Sequence, residues 1–303
     1  MTAPPQPAPS TPSVAAAGWC QRWRHRDPAW RHRDHAGFDP DRYTVVEVNE
    51  ATARRFTTTH HYASSWPAAR LRYGLIDRSP HLDDYPDPHP GDRSHTGRLV
   101  GVAVFAVPMH PRVLLAPFPG LIPYTTSTEL SRMILLDPVP GNAESWFLAR
   151  VFRHAAAVGI RGVVAFSDPV PRRRHGTLIM PGHVGWCYQG HNAAYLGRAT
   201  ARRLVMLPDG TSLPARAIAK LTGGERGWRG VVARLVRLGA PPPVDGEPPG
   251  RWLVRALDAI GAVTVRHPGN HRYGWQLRRG RDARLALPVL PYPKAIDPVV
   301  GAS

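Results

Sequence analysis

The side chains able to do chemistry fall in three stretches. Asp137 and the Ser167-Asp168 pair each close an apolar run, at the strand ends beyond which open α/β sheets collect their ligands. A carboxylate there can accept a proton from a bound group. His60-His61-Tyr62-Ala-Ser-Ser-Trp66-Pro67 is dense in groups that donate, accept or stack. Adjacent histidines point to different sides of most backbones, so one of His60 and His61 is expected to reach a site. The third stretch, Pro181-Gly-His-Val-Gly-Trp186-Cys-Tyr188-Gln-Gly-His-Asn192-Ala-Ala-Tyr195-Leu-Gly197, alternates glycine with aromatics as a ligand-facing strand and turn does.

The elements that must position these groups centre on residues 129–168. Residues 129–137 and 162–168 are apolar and β-branched runs that fit strands. Between them Phe147, Leu148, Val151, Phe152 and Ala155 recur at helical spacing. Asn142 is the expected N-cap, Glu144 sits in the first turn where the helix dipole favours a carboxylate, and Gly159 supplies the left-handed stop. Strand, helix and strand make a right-handed βαβ crossover with parallel strands.

Earlier in the chain, residues 43–48 predict a strand, 50–58 a helix and 99–107 a buried strand, followed by a Pro-rich connection over 108–123. Residues 78–97 read as a polar loop insertion. Its His81, Asp83, Asp84, Asp87, His89 and Asp92 lack the rigid surroundings a metal site needs, so none is expected there. Later, Pro169-Val-Pro-Arg172-Arg173-Arg-His-Gly176 reads as a mobile basic loop. A hairpin turning at Pro208-Asp-Gly210, helices at 214–221 and 225–238, and a helix at 251–260 come next. A second hairpin is expected over 264–278, turning at Pro268-Gly-Asn270. The two middle helices read as a peripheral helical hairpin rather than a helix-turn-helix.

Composition sets the limits. The longest apolar run, residues 99–107, is too short to span a bilayer, so no membrane partner is expected. Two cysteines make no disulfide framework, and the first residues lack a basic segment followed by an apolar one, which points to a reducing cytoplasm. Net charge is +17, and residues 198–294 hold 18 Arg and Lys against six acids. A surface so basic attracts a polyanion through counterion release.

Five parts are expected. They are a disordered Pro- and Ala-rich tail (1–18), a basic aromatic strap (19–42), a main domain (43–240), a linker (241–250) and a basic helical and hairpin C-terminal extension (251–303). The strap interleaves Trp19, Trp23 and Trp30 with arginines. It can stack on bases and hold phosphates, or pack on the domain as an amphipathic strap.

Several separated motifs occur together in a fixed order: Glu129-Leu-Ser-Arg132, Asn142-Ala-Glu-Ser-Trp-Phe147, Phe166-Ser-Asp-Pro169, and Pro181-Gly-His-Val followed by Tyr188-Gln, Asn192, Tyr195 and Gly197-Arg198. In this the chain resembles the Mom family of phage DNA-modification proteins over roughly residues 43–240. The resemblance implies an α/β fold with a GNAT-like mixed sheet and central βαβ crossover. The implied activity converts DNA adenine to an N6-substituted form, described as methylcarbamoyl or carbamoylmethyl adenine, and so shields phage DNA from restriction in the host cytoplasm. Asp168 and Tyr188 match the acidic and tyrosine positions implied to be catalytic, with His60 or His61 and Ser131 or Ser145 as further candidates.

By the same resemblance Asn142, Ala143 and Ser145 belong to the cofactor-binding core. Tyr62, Trp66, Arg132, Arg172, Arg173, Trp186, Tyr195 and Arg198 are the candidates for contacting DNA, with Trp66, Trp186 and Tyr195 as walls for an adenine that is flipped out or single-stranded. The segment Leu136-Asp-Pro138-Val-Pro140-Gly-Asn142 departs from a coenzyme A loop, because its prolines remove two N–H donors and Asp137 adds negative charge. The small-molecule donor is therefore expected to differ from acetyl-CoA, and a histidine-held metal ion stays open. Two other readings are a non-catalytic phage DNA-binding or host-interaction protein, and a metal nuclease using Glu129 and Asp168.

Overall fold

A computed structural model of the chain describes residues 19–32, 34, 37–63, 65–79, 93–94, 97–174, 177–278 and 280–295. The expected tail and His81, Asp83, Asp84, Asp87, His89 and Asp92 lie outside them. The strands are β1 Trp19–Arg24, β2 Asp27–His32, β3 Tyr43–Glu47, β4 Ala69–Asp77, β5 Arg93–Ser94, β6 Gly97–Ala106, β7 Ser127–Leu135, β8 Gly162–Ser167, β9 Arg172–Arg174, β10 Thr177–Met180, β11 Ala194–Arg198, β12 Arg202–Met206, β13 Ser212–Leu213, β14 Val263–His267 and β15 His271–Gln276. The α-helices are α1 Glu50–His60, α2 Arg112–Leu115, α3 Ala143–Ala157, α4 Trp186–Gly190, α5 Ala215–Thr222, α6 Trp228–Arg237 and α7 Pro249–Ala259.

Two compact units divide the chain: residues 1–169, 183–197 and 270–296 in one, and 170–182, 198–269 and 297–303 in the other. The first holds a mixed sheet in the order β11-β15-β8-β7-β6-β4-β3, with β5 paired to β6. At its centre β6 is buried over nearly its whole length, which is why it reads as unbroken apolar sequence rather than as alternation. β4, which the sequence reading did not mark, pairs with β3 and β6.

The crossover forms as its spacing predicts. Phe147, Leu148, Val151, Phe152 and Ala155 are all buried, and Gly159 ends α3 at φ +96°. Its start differs from the expected one: Asn142 is left-handed at φ 67° and makes no side-chain cap. The turn through Pro138, Pro140 and Gly141 delivers the chain in that conformation, and the Ser145 hydroxyl donates back to the Asn142 carbonyl at 3.2 Å.

β7 and β8 are parallel but paired only from Ser127↔Gly162 to Leu130↔Ala165. Beyond that point β7 carries a bulge, since Leu130 and Arg132 face Phe105 and Val104 on β6 and Ser131 is the extra residue. A bulge bends its strand and increases its twist. The two strands part where their carboxyl ends would otherwise continue the sheet.

The expected 264–278 hairpin does not form. β14 pairs with β12, whereas β15 runs antiparallel to β8 in the main sheet. The reason is burial: Tyr273 and Trp275 join the principal core, which a two-stranded hairpin could not supply. Gly269, at φ +102°, makes the turn, and a Cβ there would meet the Ala199 carbonyl oxygen at 1.9 Å.

The strap is a β-hairpin, β1–β2, turning at His25 and Arg26, both at positive φ. Arg22 and Trp23 are buried in it. The second unit has its own core, built from Leu207, Leu213, Leu221, Leu235, Trp252, Leu253, Ala256 and Ile260. Its sheet has the order β13-β12-β14, and β9 pairs with β10. Among the described residues no helix is long and apolar enough to cross a membrane.

Candidate active site

The parting of β7 and β8 opens a cavity of about 580 Å³ within the first unit. β7 contributes Glu129, Ser131 and Arg132, and the end of β8 contributes Phe166 and Asp168. His183 follows, then Trp186, Cys187 and Tyr188 from α4. His61 and Tyr62 enter from the end of α1, Trp19 and Trp30 from the hairpin, and Asn142 and Ser145 from the start of α3. The 181–197 stretch, expected as strand and turn, forms α4 before β11; the left-handed Gly185 at φ +72° starts that helix.

Helix geometry decides between the two histidines. His60 is the last residue of α1 and His61 its extended C-cap, so their side chains diverge. His60 packs against Phe56 and His25, and its Nδ1 accepts the His25 backbone N–H at 3.2 Å, away from the cavity. His61 lines the cavity and its Nδ1 accepts the Ala63 N–H at 3.1 Å, which leaves Nε2 to carry the proton of the neutral ring.

Asp168 and Tyr188 line the same cavity. His183, given no role from sequence, stands beside Asp168: its backbone N–H donates to the Asp168 carbonyl at 2.8 Å. Burial pushes the His183 imidazole down to about 4, partly opposed by the Asp168 carboxylate. Burial holds His61 well below the usual histidine range, helped by Arg132 and His183. Burial raises Glu129, against the pull of Arg132 and the Ser131 hydroxyl. Burial keeps the Tyr188 phenol well above its ordinary value, with Cys187 and Tyr62 adding to it, so Tyr188 is a proton donor rather than a phenolate. The only sequence signal for His183 was its place in the Pro181-Gly-His-Val string.

The other candidates divide. Arg132 donates to the Ser65 hydroxyl at 2.8 Å and reaches the cavity. Trp66 is held outside it, its Nε1 donating to Glu50 at 3.2 Å and Arg54 lying over its ring. Tyr195 is core, its hydroxyl 2.8 Å from His271 Nδ1, so it is no ligand wall. Ala143 is wholly buried and Asp137 is paired with Arg24 at 3.6 Å. Arg172 and Arg198 belong to the second unit; the side chain of Arg173 lies outside the described residues. Sequence reading also missed Lys294 and Tyr292, which line the cavity with the ammonium 6.0 Å from the Trp186 ring.

A phosphate-bearing donor does not fit the start of α3. Arg22 fills that place: its Nε donates to the Val139 carbonyl at 3.0 Å, its Nη2 to the Pro140 carbonyl at 2.6 Å, and the guanidinium pairs with Glu144 in the first turn. A pyrophosphate would meet a carboxylate and carbonyls already in use, where a helix that binds phosphate offers free N–H groups. Among the described residues no three or more His, Cys, Asp or Glu side chains gather closely enough to hold a metal ion, so the histidine-held metal finds no preformed ligand set.

The buried histidines also set acid stability. His60, like His183, is pushed down to about 4 by burial, below the 6.5 of an exposed histidine. The unfolded chain therefore takes up these protons first, and stability is full above pH 6.5 and lost as pH falls towards 4. His60 alone accounts for about 3 kcal/mol by pH 4. Chemical denaturation at pH 7 and pH 4.5 should show the loss, and His60→Gln should flatten it. An equal unfolding free energy at both pH values would contradict this assignment.

A mixed sheet split between parallel strands, with a polar and aromatic cavity at their carboxyl ends, defines an α/β protein with a cavity of small-ligand size. The chain belongs to the Mom protein family, whose pattern matches residues 42–230. Among solved structures it is similar to a candidate phosphinothricin N-acetyltransferase, at 12% identity over 78% of this chain and 99% of that one, with a TM-score of 0.33. It is also similar to a tandem GNAT protein from the clavulanic acid biosynthesis pathway, without AcCoA, at 10% identity over 80% and 72% with a TM-score of 0.32. No curated protein matches the chain.

Proposed function

We propose that the protein is a DNA adenine-modifying transferase of GNAT-like fold that places a methylcarbamoyl (carbamoylmethyl) type group on N6 and so protects phage DNA from restriction. The observation that carries the reading is the convergence of Asp168, His183, His61 and Tyr188 on one cavity of about 580 Å³ with aromatic walls. That volume falls in the range of pockets that enclose small ligands, ~300–1,000 Å³. Adenine N6 is a weak nucleophile because its lone pair is delocalised into the ring. A bond from N6 to the donor carbon forms as the donor's leaving group departs with its electron pair, and N6 gives up one hydrogen as a proton. Asp168, with neutral His183 beside it, is the acceptor. Tyr188, Tyr62 and Trp186 supply the stacking surface and a phenolic donor, and the base enters flipped out or single-stranded.

The donor is a small molecule without a pyrophosphate handle, because Arg22 and Glu144 occupy the start of α3. The test is expression in a bacterium followed by mass analysis of its digested nucleosides. Wild-type protein should yield an adenine of increased mass and Asp168→Ala none. Unmodified adenine with soluble, folded wild-type protein would turn the reading to the non-catalytic DNA-binding or host-interaction protein.

A further inference from the structure

The family match ends at residue 230, inside α6, so the rest of α6, α7 and β14 lie beyond it. Those elements bring Leu235, Trp252, Leu253, Ala256 and Ile260 to the core of the second unit. The same unit is unusually basic: residues 198–269 hold 12 Arg and Lys against five acids. Three of the acids are paired, Asp209 with Arg234, Glu225 with Arg216 and Glu247 with Arg255. Arg203 and Arg266 are exposed, and neither has an ion-pair partner among the described residues.

These two arginines face each other. The register of β12 and β14 sets Arg203 directly opposite Arg266, and the adjoining rung sets Arg202 opposite His267. Like charges opposed on one face of an antiparallel pair oppose folding. A partner that brings negative charge removes that opposition. Facing Cα atoms of an antiparallel pair are about 4.5–5.5 Å apart, so two guanidinium groups reach neighbouring phosphates of duplex DNA, which carries about one charge per 1.7 Å of axis.

We propose that the arginine rung Arg203–Arg266 on β12 and β14 is a docking surface for the phosphate backbone of duplex DNA, giving affinity without sequence preference. The proposal rests on the reading that the protein acts on DNA. It locates the grip on the second unit and leaves the chemistry to the first.

The experiment measures binding of the full chain to a labelled duplex of about 20 base pairs by fluorescence anisotropy across a salt series. Arg203→Gln/Arg266→Gln is compared with wild type and with Arg150→Gln/Arg153→Gln on α3. The rung variant should bind about ten-fold more weakly at low salt, and its log K against log salt slope should be shallower by about two. Its melting temperature should be equal or higher, because two opposed charges are gone. Unchanged affinity and slope, weaker binding accompanied by a lower melting temperature, or a wild type that does not bind duplex would each overturn the proposal. Binding is read without any modification of adenine, so a wild type that binds duplex through this rung yet leaves adenine unmodified removes the enzyme reading and keeps the docking surface.

Discussion

Glu144→Ala should lower the unfolding free energy by about 3–5 kcal/mol, the cost of leaving a buried charge without its partner. Arg22 has no solvent exposure, and apart from Glu144 its guanidinium meets backbone carbonyls of Gln21, Val139 and Pro140. Carbonyl dipoles satisfy the N–H groups without neutralising the charge. For a unit of this size the melting temperature should fall by roughly 10 °C or more. Replacing both partners, as Arg22→Met/Glu144→Leu, removes the charge and its counter-charge together, and should recover most of the loss. Denaturant unfolding of the two singles and the double at pH 7 gives the coupling. A single-variant cost under about 1 kcal/mol would show that the pair is solvated rather than buried. The consequence reaches the site, because the hairpin that Arg22 anchors also carries Trp19 and Trp30 into the cavity wall. A variant that melts early should lose donor-side binding first.

This pair shows where sequence reading stops. α3 was legible because its apolar face is a local pattern of five residues, and the crossover followed from two runs on either side of it. Local pattern also gave the Asp168 and Tyr188 stretches, but their convergence depends on a bulge at Ser131 that no periodicity announces. Arg22 and Glu144 are 122 positions apart. From sequence the hairpin could equally be a nucleic-acid strap or packing, and in the structure it divides: Arg22 is buried away from the cavity, while Trp19, Trp23 and Trp30 line it. Tyr195 and Trp66 were read as walls from composition. Tyr195 was claimed by the core through His271, and Trp66 was held by Glu50 and Arg54. The Asn142 cap failed because the approach to α3 was set by prolines, which fix φ before the cap residue can choose.

His183→Asn should reduce adenine modification about 10²–10⁴-fold while leaving the fold intact, the range lost when a positioned acid–base group is removed, because neutral His183 takes on the proton that Asp168 accepts from N6. Its imidazole is half-buried in the cavity wall and His183 is joined to Asp168 through the backbone, so asparagine can occupy the space but cannot take a proton. With His183 pushed down to about 4, the ring is neutral throughout the physiological range. The wild-type rate should therefore be flat from pH 8 to pH 5 and fall on the acid side as the ring takes up a proton near pH 4. That limb should vanish from the residual activity of His183→Asn. His60→Gln serves as the contrast, since His60 is shifted to the same value by the same burial but faces away from the cavity. It should change acid stability and leave the rate at pH 7 within about two-fold. Equal losses of rate in the two variants would mean that the histidines act on the fold alone, and the proton would then have to leave N6 through Asp168 without help.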